Sequence, residues 1–269
     1  MPSPLHHPLL IKPGTAPSSK ARRLPEEMAV AMVHNGSTTA VLMASPCDLE
    51  DLAIGFAITE GLIEAVSEVR DVEIVEGFHG IEARLWLPDE RAAALSARRR
   101  AMVGPTGCGL CGVESLEAAV RLPRAITRDL SVGADAIRTA LQAVRPLQRL
   151  GSETQATHAA AFASVSGEVL LVREDVGRHN ALDKLVGAVL RQGLDPKNGF
   201  VLVTSRVSVE MVQKAAALGS AVLVAVSAPT DLAIRVAHTA GLTVIAVARQ
   251  DSFEIFTHAD RIVYAEEPV

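Results

Sequence analysis

The chain has 269 residues, 49% of them apolar but only 3% aromatic, and a formal net charge of -5. That length can bury one large core or two smaller ones. The acidic balance argues against a general nucleic-acid binder, and no apolar run approaches the roughly 20 residues that cross a bilayer, so neither nucleic acid nor a membrane is an expected partner.

Residues 1–20 are rich in proline and serine and lack a sustained apolar stretch, so they read as a disordered tail and not as a signal peptide. Three cysteines, an odd and low number, do not make a secreted disulfide scaffold, which places the chain in the cytoplasm. After the tail, "EEMAVAMVHNGSTTAVLMAS" holds two apolar stretches around Asn35-Gly36, a strong hairpin signal because both residues tolerate positive φ. In "DLEDLAIGFAITEGLI", Asp48 stands at an N-cap position and Leu52, Ala53, Phe56 and Ala57 recur at helical spacing. Gly61 falls where that helix would stop. "VRDVEIVEG" and "GIEARLWLP" alternate as two further strands, completing a β-β-α-β-β unit.

An arginine-rich stretch, with Arg98, Arg99 and Arg100 in a row, then leads to "GPTGCGLCGVE", which carries Cys108 and Cys111. "VESLEAAVRL" predicts a short helix that Pro123 ends. Residues 21–122 are therefore expected to form a smaller N-terminal α+β domain, and residues 123–269 a second domain. In that second half "DAIRTALQAVRPL" is helical, and "ATHAAAFASV" and "EVLLVRED" pair as strands around Ser166-Gly167. "NALDKLVGAVLRQG" is an amphipathic helix. "FVLVTS", "AVLVAVSA" and "LTVIAVAR" are short, continuous, β-branched strands that alternate with the helices "VEMVQKAAALG" and "TDLAIRVAHTAG". Such a rhythm predicts an α/β domain with a mainly parallel sheet covered on both faces.

Ligands of open α/β sheets sit beyond the carboxyl ends of the strands. The first such junction here offers Glu174, Asp175, Gly177, Arg178, His179 and Asn180. The next offers Thr204, Ser205 and Arg206, and the third Ser227 and Thr230. The last strand runs out into Arg249, Gln250, Asp251 and Ser252. Arginines, hydroxyls and helix N-termini on one rim describe an anion site, most simply for phosphate or pyrophosphate. Taken one at a time, the same Ser, Thr and Asp residues are also ordinary helix caps, and Arg178 or Arg206 could pair with Asp175 or Glu210. Without a glycine-rich P-loop or GxGxxG, an ordinary NTPase or nicotinamide enzyme is disfavoured.

The two loop thiols admit several chemistries. Structural zinc takes four Cys or His ligands, and this chain has no second CxxC or HxxxH; Cys47 with a distant histidine could complete a site, but the weaker spacing leaves no metal expected. A thioredoxin-like dithiol normally begins a helix directly after a strand, whereas Gly104-Pro105 precedes this pair. A nucleophilic or sulfur-carrying Cys108 is favoured by the helix predicted behind it and the arginines before it, both of which lower a thiol pKa. Gly107, Gly109 and Gly112 let another molecule approach the sulfur closely. Cys111 is near enough to resolve or relay a sulfane sulfur by thiol exchange. A glycine turn with buried thiols is the bland alternative, and a thiol-disulfide oxidoreductase using Cys108 and Cys111 the active one. "THAAAF" around His158 is similar to the H-x-E segment of zinc deaminases. With Ala160 at the glutamate position, a deaminase-like fold is possible and deamination is not.

"GCGLCGVESL", "REDVGRHNALDK", "SRVSVEMVQKAA" and "VSAPT", together with "VHNGS", "SPCDLEDLAIGFAITEGLI" and "FEIFTHADRI", resemble the FdhD family of sulfur carriers for formate dehydrogenase. The resemblance runs from about Arg23 to Ile262. It implies a three-layer α/β/α cytidine deaminase-like second domain and a homodimer. It also implies that a cysteine desulfurase passes sulfur to Cys108 as a persulfide. The sulfur then goes to the molybdenum or tungsten of a bis-molybdopterin guanine dinucleotide cofactor, before that cofactor enters apo formate dehydrogenase. Guanine nucleotides such as GDP are expected to bind as well. The family's cofactor-binding stretch falls on Val247, Ala248, Arg249, Gln250, Asp251 and Ser252, where this chain lacks the expected glycine.

Overall fold

The computed structural model describes residues 3–88, 123, 125–126 and 130–264. The loop with Cys108 and Cys111, the arginine triplet and the helix expected behind them lie outside the described residues. β1 (Met28–His34) and β2 (Ser37–Ala44) pair antiparallel around Asn35 and Gly36, whose φ angles of 47° and 76° are what a two-residue hairpin turn needs. α1 (Leu49–Thr59) follows, and Gly61 turns the chain with φ 68°. β3 (Asp71–Gly77) and β4 (Gly80–Trp86) close a four-stranded sheet of order β2-β1-β4-β3, with β1 and β4 parallel. The β-β-α-β-β order expected from the sequence is observed.

Residues expected to form a disordered tail are instead folded into an exposed hairpin. Leu5–His6 pairs with Arg22–Arg23 and Leu9–Leu10 with Ser18–Ser19. The prolines that thin out the apolar content also favour extended backbone. The end is anchored: Ser3 is buried, donates from Oγ to Glu153 Oε2 at 2.6 Å, and accepts at its carbonyl from Arg23 Nη1 at 2.9 Å.

The second half runs α2 (Ala134–Leu147), α3 (Arg149–Thr154), β5 (His158–Ser164), β6 (Val169–Asp175), α4 (Arg178–Arg191), β7 (Gly199–Val203), α5 (Val209–Leu218), β8 (Val222–Ala225), α6 (Asp231–Ala240), β9 (Thr243–Ala246) and β10 (Glu254–Ile255). Its six strands lie in the order β6-β5-β7-β8-β9-β10. The expected mainly parallel sheet is corrected to a mixed one. Parallel pairing is confined to β7–β8 and β8–β9, while β5 is antiparallel to both β6 and β7, and β10 to β9. The cause is the turn at Gly167, φ 90°, which folds β5 and β6 into a hairpin whose first strand inserts beside β7. β6, β7, β8 and β9 nevertheless run in one direction.

Alternate strand residues face opposite sides. Ala161, Ala163, Phe200, Leu202, Val222 and Ile245 bury against Ile137, Ala140 and Val144 of α2. Ala160, Phe162, Val201, Leu223 and Val244 face the other way, into a cluster shared with α4, α5 and α6. That cluster also contains Val30, Met32, Leu52, Phe56, Ile81 and Leu85 from the first half. The two sheets lie on either side of the expected boundary near Pro123, and one apolar core joins them.

α1 is the joint. Every residue from Asp51 to Thr59 is buried, so it is a helix apolar on all sides and wrapped by both halves. It crosses α4 at two glycines. A β-carbon on Gly55 would overlap the carbonyl of Asp183, and one on Gly187 would overlap the carbonyl of Asp51. Both obstructions are backbone, which cannot rotate away. Gly55→Ala or Gly187→Ala should therefore cost about 3 kcal/mol or more, although alanine is the better helix former. Urea denaturation of each variant measures this, with Gly133→Ala, whose β-carbon would meet nothing within 4 Å and whose φ of -68° suits any residue, for comparison.

Candidate functional site

Because β6 to β9 share a direction, their carboxyl ends and the helices that come after them meet at one edge of the sheet. All four expected junctions are on that edge. Their side chains divide sharply by what they touch.

Asp175 is fully buried and engaged on every side. It pairs with Lys184 Nζ at 2.6 Å and accepts from Ser45 N at 3.0 Å, Gly177 N at 2.8 Å and Asn180 Nδ2 at 3.1 Å. Asn180 Nδ2 also donates to the Met43 carbonyl at 2.8 Å. Glu174 accepts from the backbone N–H groups of Leu150 and Gly151 at 2.9 and 2.7 Å, tying down the start of α3. The sequence left open a pairing of Arg178 or Arg206 with Asp175 or Glu210, and the ion pair of Asp175 is with Lys184, an internal residue of α4.

Thr204 Oγ1 accepts from Ala159 N at 2.9 Å, and Ser205 donates to the Arg206 carbonyl at 3.1 Å. Thr230 caps α6 by accepting from Ala233 N at 3.3 Å. Ser227 is half-buried, and its carbonyl accepts from Val247 N at 3.2 Å. Arg206, Gln250, Asp251 and Ser252 are exposed, Ala248 is buried, and Ser252 donates to Asp251 at 3.2 Å. Arg249 Nη1 donates to the carbonyls of Val226 at 2.6 Å and Ala248 at 2.9 Å. β9 ends earlier than the sequence suggests because Val247 turns the chain with φ 52°, a left-handed conformation costing a β-branched residue roughly 1–3 kcal/mol.

Arg178 and His179 behave differently. Arg178 Nε and His179 Nε2 are buried without a hydrogen-bond partner among the described residues, and so is Oγ of Ser208. Burial pushes the His179 imidazole down to about 4, helped by the charges of Arg178 and Lys214 against those of Glu210 and Glu60. His158, at the start of β5, is also lowered by burial and by Arg178.

Three participants escaped sequence reading. Ser208 had a visible signal, its place directly before the helix after β7. Lys184 had none: it reads as an amphipathic-helix lysine, and its partners Ser45 and Cys47 are more than a hundred positions away. Its Nζ donates to the Ser45 carbonyl at 2.9 Å and lies 3.7 Å from Cys47 Sγ. Burial pushes the Cys47 thiol up while Lys184 pulls it down. Lys214 is the second buried lysine. It contacts both Asp183 oxygens at 2.9 Å, Thr59 Oγ1 at 2.9 Å and Glu60 at 3.3 Å. Burial disfavours its charge, yet the carboxylates of Asp183 and Glu60 outweigh it and raise its pKa. Among the described residues no cluster of His, Cys, Asp and Glu is arranged to hold a metal ion, and no helix is long and apolar enough to cross a membrane.

The buried charges and imidazoles govern stability. Asp175→Ala strands the Lys184 ammonium in the interior and should cost about 3–5 kcal/mol by urea denaturation. His34 and His179 are both held by burial near pKa 4, below the ordinary 6.5. The unfolded chain binds those protons first as pH falls, so their contribution is full above pH 6.5 and is lost between 6.5 and 4. The slope is at most about 1.4 kcal/mol per pH unit for each histidine. Denaturation midpoints across that range should fall, and His34→Gln should flatten the fall.

Comparisons with known proteins agree over nearly the whole chain. The profile described as "FdhD/NarQ family" matches residues 25–263. "Sulfur carrier protein FdhD" of Agrobacterium fabrum is 52% identical over 254 residues, covering 94% of this chain and 93% of that one. The protein of the same name from Bordetella petrii is 49% identical, covering 91% and 88%. A crystal structure from Desulfotalea psychrophila, assigned as a formate dehydrogenase accessory protein, superposes with a TM-score of 0.77 at 23% identity, covering 97% of this chain and 99% of that one. The family profile and these relatives establish that the chain belongs to the FdhD/NarQ family.

Proposed function

We propose that this chain is a cytoplasmic sulfur carrier serving formate dehydrogenase, with a bis-molybdopterin guanine dinucleotide as the recipient of the sulfur. The observation that carries the reading is the shared direction of β6 to β9, which gathers helix N-termini with Arg178 and Arg206 on one edge. Such an edge suits the pyrophosphates of a guanine dinucleotide. Buried donors at Arg178 and Ser208 that lack partners among the described residues fit an acceptor-rich ligand. The sulfur carriers that are about half identical to this chain support the same role.

Loading is a thiol exchange. The Cys108 thiolate attacks the outer sulfur of a desulfurase persulfide, a new S–S bond forms on Cys108, and the old one breaks as the desulfurase thiolate leaves. No net oxidation occurs. The outer sulfur would then go to the metal of the cofactor held at the edge as substrate: the S–S bond breaks, Cys108 leaves as a thiolate, and a reduced metal centre in that substrate supplies the two electrons that convert sulfane sulfur to bound sulfide, before the cofactor passes to apo formate dehydrogenase. Cys111 relays sulfur by a further exchange, and a homodimer presents two such sites.

Full-length protein incubated with a cysteine desulfurase and cysteine should gain one sulfur on the peptide carrying Cys108, read by mass spectrometry. Cys108→Ala should lose the added sulfur and the support of formate dehydrogenase activity. Full charging and full support by Cys108→Ala would refute the mechanism. Catalytic reduction of insulin by the wild type would instead favour a thiol-disulfide oxidoreductase.

A further inference from the structure

One face of the N-terminal hairpin finds no partner among the described residues. The hairpin keeps one register from Leu24 N, which donates to the Pro4 carbonyl, through the pairs Leu5–Arg23, His6–Arg22, Leu9–Ser19 and Leu10–Ser18. Its turn is closed by Thr15 N on the Lys12 carbonyl. Alternate residues of such a ribbon face opposite sides, so Leu5, Leu9 and Ile11 share one face and Lys12, Lys20 and Arg22 the other. The three aliphatic side chains are 52%, 66% and 65% exposed, and none belongs to either apolar cluster. A two-stranded ribbon on its own is at most marginally stable in water, so one that stands out from the body calls for a surface to cover its apolar face. Residues 1–25 also carry four cations and no acidic side chain, in a chain of net charge -5.

A surface of matching chemistry lies on the first half of the chain. A groove of about 690 Å³ opens between the sheet and the start of α1, with Met28, Leu49, Ile74 and Ile81 as its apolar lining. Five carboxylates surround these residues. Arg191, the one cation of the lining, is spent on Glu50 and Asp51, and Asp48 lies 3.7 Å from Arg173. Glu26 and Glu76 make no ion pair or hydrogen bond among the described residues. No hairpin residue lines the groove, so the two features are carried by one molecule without touching.

We propose that the hairpin docks, apolar face inward, into this groove on a second copy of the chain, with Lys12 and Lys20 paired to Glu26 and Glu76 of that copy. Lysine stems are long enough to bend around the edge of the ribbon while their charges stay at the wet rim. In a two-fold pair each copy offers one hairpin and one groove, so the exchange is mutual and closed. The assignment rests on the homodimer proposed above and supplies the surface that makes it. The hairpin lies ahead of residue 25, where the family profile begins to match, so the contact draws on a segment outside the matched stretch.

Carbodiimide coupling, which joins amines to carboxylates in contact, tests the pairing on an equal mixture of unlabelled and heavy-nitrogen-labelled full-length protein. Peptides holding Lys12 or Lys20 should link to those holding Glu26 or Glu76, and pairs of mixed label should be among them. In sedimentation velocity, Leu9→Asp combined with Ile11→Asp should raise the dimer Kd by about tenfold or more, and so should Lys12→Glu combined with Lys20→Glu. Adding Glu26→Lys and Glu76→Lys to the latter pair should restore the Kd to within about threefold of the wild type. These side chains are exposed or half-buried, and an unchanged urea midpoint verifies that each variant is folded. Links confined to a single label would overturn the docking. A dimer indifferent to every one of these substitutions would also overturn it, while leaving the homodimer to another surface. A wild type that sediments only as a monomer would overturn the docking and the homodimer together. Binding of the wild type to anionic vesicles through Leu9 and Ile11, without mixed links, would assign the hairpin to lipid instead and overturn the docking. Sulfur loading of Cys108 is independent of all these results.

Discussion

The close crossing of α1 and α4 is the constraint on which the rest depends. Two glycines let the helices approach until a single methyl group on either would meet backbone. Nearness of that kind lets one helix serve two sheets, since α1 packs its remaining sides under β3 and β4 and against α5. It also fixes where α4 begins. The start of α4 carries Arg178 and His179, so packing far from the sheet edge determines what the edge can hold.

Two buried lysines flank the crossing, each spanning the halves. Lys184 joins Asp175 to the loop before α1, and Lys214 joins Asp183 to its end at Thr59 and Glu60. Buried ion pairs of this sort add little net stability compared with apolar packing, but their hydrogen-bond geometry tolerates only one arrangement. Apolar surface supplies the attraction between the halves, and the lysines select the register in which α1 lies on α4.

Much of this fold was legible in the sequence because its signals are local. Asn35-Gly36 marked a hairpin, Gly61 marked a helix end, and the unbroken apolar runs at Phe200 and Val222 marked buried strands. The insertion of β5 beside β7 was not legible, since the Ser166-Gly167 turn announces a hairpin without saying which strand faces the rest of the sheet. The site divided in the same way. Its rim could be read from the residues at the end of each strand, but whether a polar group there is free depends on distant partners. Asp175 looked available until Ser45 and Lys184 were in place, and Arg249 until the carbonyl of Val226, just past β8, was.

All five lysines of the chain fall among the described residues, and they sort cleanly by environment. Lys12, Lys20 and Lys197 are exposed, whereas Lys184 and Lys214 are sealed at the seam between the halves. Amine-reactive labels will therefore modify the first three in the folded molecule. Acylation at either of the other two is a chemical record that α1 has parted from its partners, so the protein carries an intrinsic reporter of its own opening.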